Sequence, residues 1–202
     1  MAGQKKNIIG VVLCGGNSVR MGADKGLLQQ NITTWAELAA DKLAGLKLEV
    51  VVSVNERQAE TYTRIFDTIP VVTDNSRIDV FGPLKGILSV HLQYPDADLL
   101  VLACDMPAMT TEVLEYLLKS SLDKTEEAVV FINDNRYEPL CAVYTSVGLK
   151  KIYETYRQGK LLKYSLQYVL QALRIFQTSI PAKWKGYFNN YNFPEDLDGL
   201  LL

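Results

Sequence analysis

IIGVVLCGGNSVRMGADKG, residues 8–26, decides how the chain folds. Its first part, Ile8–Cys14, is an almost unbroken apolar run, the pattern of a strand covered on both faces in a parallel sheet. The run stops at Gly15, and residues 13–26 then hold four glycines, an arginine and an Asp–Lys pair. A tight turn requires only one or two glycines. Lacking β-carbons, Gly15 and Gly16 let the backbone approach a phosphate or base closely and aim consecutive N–H groups at it. Arg20 and Lys25 add positive charge. Two familiar phosphate loops are excluded: Lys25 precedes Gly26, not Ser or Thr, so there is no G-x-x-x-x-G-K-[ST], and the spacing is not G-x-G-x-x-G. The alternative is a plain glycine turn with a solvated Arg and Lys; the combination behind a first strand favours a polyphosphate.

Outward from that strand, short β-like runs alternate with longer amphipathic stretches. Strands are expected at Ile8–Cys14, Leu48–Val54, Ile69–Thr73, Leu99–Cys104, Ala128–Ile132 and Leu140–Tyr144. Helices are expected at Thr33–Ala44, Arg57–Phe66, Leu84–Leu92 and Thr110–Ser120. This alternation implies right-handed crossovers and an α/β fold, a three-layer α/β/α domain around a mostly parallel sheet. After about residue 145 the pattern changes to helical stretches near Val147–Arg157 and Tyr164–Leu173, a short Arg174–Gln177 run, and PAKWKGYFNNYNFPEDLDGLL. No linker or repeat interrupts the chain. A single domain over residues 1–202 is expected, its C-terminal subregion closing over one sheet edge.

Composition narrows the function classes. A formal charge of −2 gives no global attraction for nucleic acid or anionic membrane, and no apolar run reaches the length of a membrane span. The basic N-terminus runs through a short apolar stretch into glycines, which does not suit a signal peptide. Cys14, Cys104 and Cys141 fit neither a disulfide framework nor a zinc spacing, and read as buried, reduced thiols of a cytoplasmic protein.

The run L-x-G-G-x-S-x-R-M-G-x-D-K, Leu13 to Lys25, resembles the signature of the molybdenum cofactor guanylyltransferase family. FGPLKGI (81–87), CDMP (104–107), EPLCAVY (138–144) and NYNFPEDL (190–197) follow in that family's order, so the resemblance spans nearly the whole chain. It implies a Rossmann-like sheet, a nucleotide-binding half over about residues 1–110 and a cofactor-binding half over about 111–202. It also implies nucleotide contacts from Leu13, Cys14, Gly15, Gly16, Lys25, Asn55, Asp74 and Gly82. The sequence departs from the pattern at Cys14, where alanine is usual; an oxidation-sensitive thiol beside the nucleotide is one consequence. The related cytidylyltransferases typically read alanine–glycine at Gly15–Gly16 and lack the GPL-x-G element of Gly82–Gly86, and both features favour GTP.

Asp105 follows LLVLAC and so emerges at the end of a central strand, on the rim of the glycine loop. Magnesium takes one or two carboxylates and completes its shell with water and phosphate oxygens, and the resemblance likewise gives Asp105 to Mg²⁺. The alternative, a cap for the helix near Thr110, is several residues too far on. Asp24 is a weak candidate for a second ligand. Asn55 and Asp74 each end a strand. A carboxylate can accept from both N1–H and the N2 amino group of guanine, although TDNS (73–76) is also a good turn sequence.

The implied reaction is attack by the phosphate of molybdenum-molybdopterin on the α-phosphorus of GTP. Such a phosphate is already largely ionised, its second pKa being about 6, and needs no general base. Lys25 and Arg20 would offset phosphate charge, with Asp105 the third catalytic residue. The single histidine, His91, reads as structural. Asn190 and Asn192, which the resemblance links to the pterin, have amides able to pair donor and acceptor edges; Asn192 could equally cap a helix starting at Pro194. Arg136 and Glu138–Pro139 are expected in a turn, and Lys160 and Lys163 in a charged loop. Expected partners are GTP, molybdenum-molybdopterin and proteins that deliver or accept the cofactor. Transfer of another nucleotide, or to another small phosphate, is the enzymatic alternative; a carrier of the cofactor without turnover is the non-enzymatic one.

Overall fold

The computed structural model describes residues 6–15, 24–189 and 191. The apolar runs become strands β1 (Ile8–Leu13), β4 (Glu49–Val54), β5 (Val71–Thr73), β6 (Asp98–Ala103), β7 (Ala128–Asn133), β8 (Arg136–Tyr144) and β9 (Ile175–Ser179). They form one seven-stranded sheet in the order β5-β4-β1-β6-β8-β7-β9. A two-stranded ribbon, β2 (Gln29–Gln30) and β3 (Thr33–Thr34), stands apart. β1 lies inside the sheet between β4 and β6, with Val11 opposite Val51 of β4 and Val101 of β6, both in parallel register. From β1 the chain moves out through β4 to β5, then returns to place β6 on β1's other side. That reversal creates a crevice beyond the carboxyl ends of β1 and β6, where ligands of such sheets bind.

Alternation along each strand divides two cores. Ile8 and Val12 face the layer of α1 (Trp35–Ala44), α2 (Ala59–Ile65) and α4 (Thr111–Ser121). Ile9, Val11 and Leu13 face α3 (Pro83–Gln93), α5 (Ser146–Arg157) and α6 (Leu166–Gln171). The helix starts follow local chemistry: Thr34 and Glu37 form a capping box on α1, and Thr110, Thr145 and Ser165 accept from backbone N–H groups at the starts of α4, α5 and α6. Thr110 thus caps α4 itself, leaving Asp105 free of that duty.

The expected C-terminal subregion is present. β9 pairs with the outer edge of β7, and the 3-10 segment Ala182–Phe188 sets Trp184 and Phe188 against Tyr116 and Phe131. One expectation needs correction. β8 starts at Arg136, not Leu140, so Arg136, Glu138 and Pro139 lie within the strand. The turn is Asp134–Asn135, both with positive φ (45° and 63°), the pairing that closes a two-residue hairpin. β8 therefore runs antiparallel to both neighbours, β6 and β7. Among the described residues no helix is long and apolar enough to cross a membrane.

Candidate active site

The crevice is built where β1 and β6 end. Cys104 donates its backbone N–H to Leu13 O at 3.1 Å, which holds Gly15 and Asp105 on the same rim. The Lys25 ammonium closes the arrangement, 3.0 Å from Asp105 Oδ2. The other oxygen, Asp105 Oδ1, is buried and has no hydrogen-bond partner among the described residues. A buried carboxylate oxygen left without a donor is costly unless something completes it. No cluster of three or more His, Cys, Asp or Glu that could hold a metal occurs among the described residues. A single carboxylate beside a phosphate-binding rim is nevertheless a donor set that magnesium accepts.

Lys25 is held in place by its neighbour. Asp24 Oδ1 accepts from Gly26 N (3.0 Å) and from the Tyr62 hydroxyl (2.9 Å), and Oδ2 accepts from Gln58 Nε2 at 2.6 Å. Both oxygens are committed to the scaffold, which argues against Asp24 as a metal ligand. Burial first, then the neighbouring cysteines and the Asp24 carboxylate, push the Tyr62 hydroxyl far above its ordinary pKa, so it stays a donor. Gln58 Nε2 also donates to Cys14 O at 3.0 Å, and Gln58 Oε1 accepts from Asn55 N at 3.1 Å. On the far side, Lys42 of α1 donates to Pro107 O at 2.6 Å and steadies the loop carrying Asp105; burial lowers its pKa to about 8.

Beside this rim opens a cavity of about 210 Å³. Leu13, Gly15, Asn55, Asp74 and Gly82, five of the residues expected to meet the nucleotide, line it. Asn55 Oδ1 is occupied by the N–H groups of Arg57 and Gln58, leaving its amide N–H₂ for a ligand. The turn chemistry of TDNS belongs to Asn75, whose Oδ1 accepts from Arg77 N at 2.9 Å. Asp74 is instead fixed by its backbone N–H to Val54 O, 2.9 Å, with its side chain on the cavity. Burial raises its pKa, while the Lys85 charge opposes that rise. Gly82 begins α3 at φ +72°, a backbone state that other residues rarely adopt.

Cys14 faces the core instead. It is buried with Cys104, whose thiol is raised in pKa by its hydrogen bond with Cys14 and by burial, the condition of an unreactive packing thiol. His91 is buried in the last turn of α3, its pKa lowered by burial. Gly16, Arg20, Asn190 and Asn192 lie outside the described residues. Tyr191 is described: its N–H reaches Asp105 O at 3.3 Å and its ring meets Trp35 edge-on, bringing the C-terminal region back to the rim. Lys160 and Lys163 are exposed. Sequence reasoning missed Lys85 and Ser53, which also line the cavity. Ser53 was visible as the one hydroxyl in the apolar run VVVSV (50–54), and Lys85 stood inside the quoted FGPLKGI.

Comparison with known proteins gives the family and the fold. Residues 10–173 match the family model described as MobA-like NTP transferase domain. A probable molybdenum cofactor guanylyltransferase of Methanothermobacter thermautotrophicus is 32% identical over 190 residues, spanning 92% of this chain and 95% of that protein. One of the same description from Bacillus mycoides is 31% identical over 152 residues, spanning 75% and 74%. Among solved structures, molybdopterin-guanine dinucleotide biosynthesis protein A of Archaeoglobus fulgidus shares the fold with a TM-score of 0.78 at 24% identity over 95% of both chains. A nucleotidyl transferase of Methanothermobacter shares it with a TM-score of 0.73 at 17% identity, over 96% of this chain and 95% of that one.

Proposed function

The chain belongs to the MobA-like NTP transferase family and is a nucleotidyltransferase, and we propose that it transfers GMP from GTP to the terminal phosphate of molybdenum-molybdopterin. The products are molybdopterin guanine dinucleotide and pyrophosphate. The observation that carries this reading is the Lys25–Asp105 contact at 3.0 Å on the rim of the cavity that Gly15, Asn55 and Asp74 line. A base in that cavity sets a triphosphate along the glycine rim toward Lys25.

An oxygen of the acceptor phosphate forms the new bond to the α-phosphorus while the bond to the α–β bridging oxygen breaks. Pyrophosphate leaves with that electron pair. The nucleophile is already ionised, so the site needs charge compensation and alignment more than a base. Lys25 and Arg20 offset the phosphate charge. Asp105 holds Lys25 through Oδ2, and its Oδ1, without a partner among the described residues, would hold Mg²⁺, which would supply positive charge to the phosphates. Asn190 and Asn192 are assigned to the pterin, with the neighbouring Tyr191 docked against Asp105.

The test is pyrophosphate release by purified protein supplied with Mg²⁺, molybdenum-molybdopterin and either GTP or CTP. Release with GTP alone is the expected result. Release with CTP and not GTP moves the assignment to cytidylyl transfer, and nucleotide binding without release in either case makes the protein a carrier.

A further inference from the structure

Lys85 is a cation lining the cavity that opens beside the Lys25–Asp105 rim. It lies in the first turn of α3, and the residue after it, Gly86, keeps the cavity open: a β-carbon there would come within 2.6 Å of Ser53 Oγ and 3.7 Å of Asp74 Oδ1. Ser53 and Asp74 therefore meet over one glycine, and Lys85 lines the same cavity. Ser53 Oγ is fully buried behind this wall and has no hydrogen-bond partner among the described residues. The segment carrying Asp74 is tied to α3: Asn75 N donates to Ser89 Oγ at 2.8 Å, and Ser89 Oγ donates to Lys85 O at 2.7 Å. These bonds fix the backbones of the acid and the lysine relative to each other.

We infer that Lys85 is a specificity-determining residue that donates to the C6 carbonyl oxygen of a bound guanine while Asp74 accepts from N1–H and the N2 amino group. The inference rests on the GTP reading above and names the group that reads the remaining position of the base edge. Lys85 and Asp74 present a donor beside two acceptors, the complement of guanine's acceptor, donor, donor edge. Adenine puts an amino group against the ammonium and an unprotonated ring nitrogen against the carboxylate, so both contacts turn repulsive and both charges lose their partners. Xanthine sets a second carbonyl against Asp74. Hypoxanthine keeps the C6 oxygen and N1–H and loses only the amino group. Affinity should fall from GTP to ITP, and further to XTP and ATP.

The decisive measurement is calorimetric binding of GTP, ATP and 6-thio-GTP, whose C6 sulfur is a poor acceptor, to the full chain and to Lys85→Met and Lys85→Arg variants. The unaltered protein should favour GTP over 6-thio-GTP by about tenfold, the scale of one charge-assisted hydrogen bond. Lys85→Met should bring that ratio to about one, and Lys85→Arg should keep most of it. If Lys85→Met weakens both nucleotides in proportion, the lysine merely attracts phosphate and the inference is overturned. If the unaltered protein binds ATP as well as GTP, the guanine reading itself fails first and takes the inference with it.

Discussion

Two carboxylates at opposite ends of the sheet, Glu127 buried and Asp105 partly so, show what separates scaffold from candidate site. Glu127, just before β7, accepts from Lys151 Nζ at 2.9 Å and from Arg174 N at 2.8 Å, with the Arg174 guanidinium 3.6 Å away. Burial alone would raise its pKa, but these donors and charges hold it below the ordinary glutamate value. Asp105, at the other end, has one ion pair and one oxygen with no described partner. The first acid is saturated by the fold, so its charge contributes to stability. The second keeps one oxygen without a described partner beside the cavity, and the proposed metal role rests on that oxygen.

The strongest attempt to break this contrast removes the incomplete acid. Asp105→Asn and Lys25→Ala should each lower kcat for pyrophosphate release by about 10²–10³-fold, as loss of one preorganised electrostatic group does, while the thermal midpoint stays within a few degrees. A large loss of stability with modest loss of turnover would make Asp105 another Glu127. Next, Asp74→Asn should weaken GTP binding by about 10–100-fold and erase its advantage over ATP, because the amide cannot accept from both guanine donors. Equal weakening of ATP would assign Asp74 a structural part.

Glu127→Gln should do the reverse of Asp105→Asn. Its partners are half-exposed, so the cost in denaturant unfolding should be about 1–2 kcal/mol, with kcat unchanged. The sign with pH follows from its depressed folded-state pKa. The stabilisation is fully present above the ordinary value of 4.5 and is lost as pH falls through the lowered one, so the gap between the two proteins should close in acid. The smallest effect concerns Lys42, at about 8 rather than 10.5. Between those values the unfolded chain binds more protons than the folded one, so stability attributable to Lys42 rises with pH. Lys42→Met should remove that rise, measured as the difference in unfolding free energy between pH 8 and pH 10.

The same contrast explains what could be read from residues alone. The parallel strands and their covering helices were legible because IIGVVL and LLVLA are apolar on both faces and α1 and α4 keep helical spacing. Gly15, Asn55, Asp74 and Gly82 were legible because each ends a strand or opens a helix, and parallel topology gathers those ends. The start of β8 was not, since Arg136 and Glu138 look like loop residues until the Asp134–Asn135 hairpin aligns them with β7. The scaffold part of Asp24 was not legible because its partners, Gln58 and Tyr62, stand 34 and 38 residues away. Lys85 was passed over because a helical lysine is usually solvated, and only the fold turns this one toward Asp74.

Gln58 carries a consequence for the glycine segment. By gripping Cys14 O and Asp24 Oδ2 with one amide, it ties together the two points where that segment leaves and rejoins the body. That clasp fixes the backbone on which Lys25 stands before any substrate arrives. The ammonium thus keeps its station opposite Asp105 through bonds made by a helix start far along the chain, and a change at Gln58 would move the site without touching any residue in it.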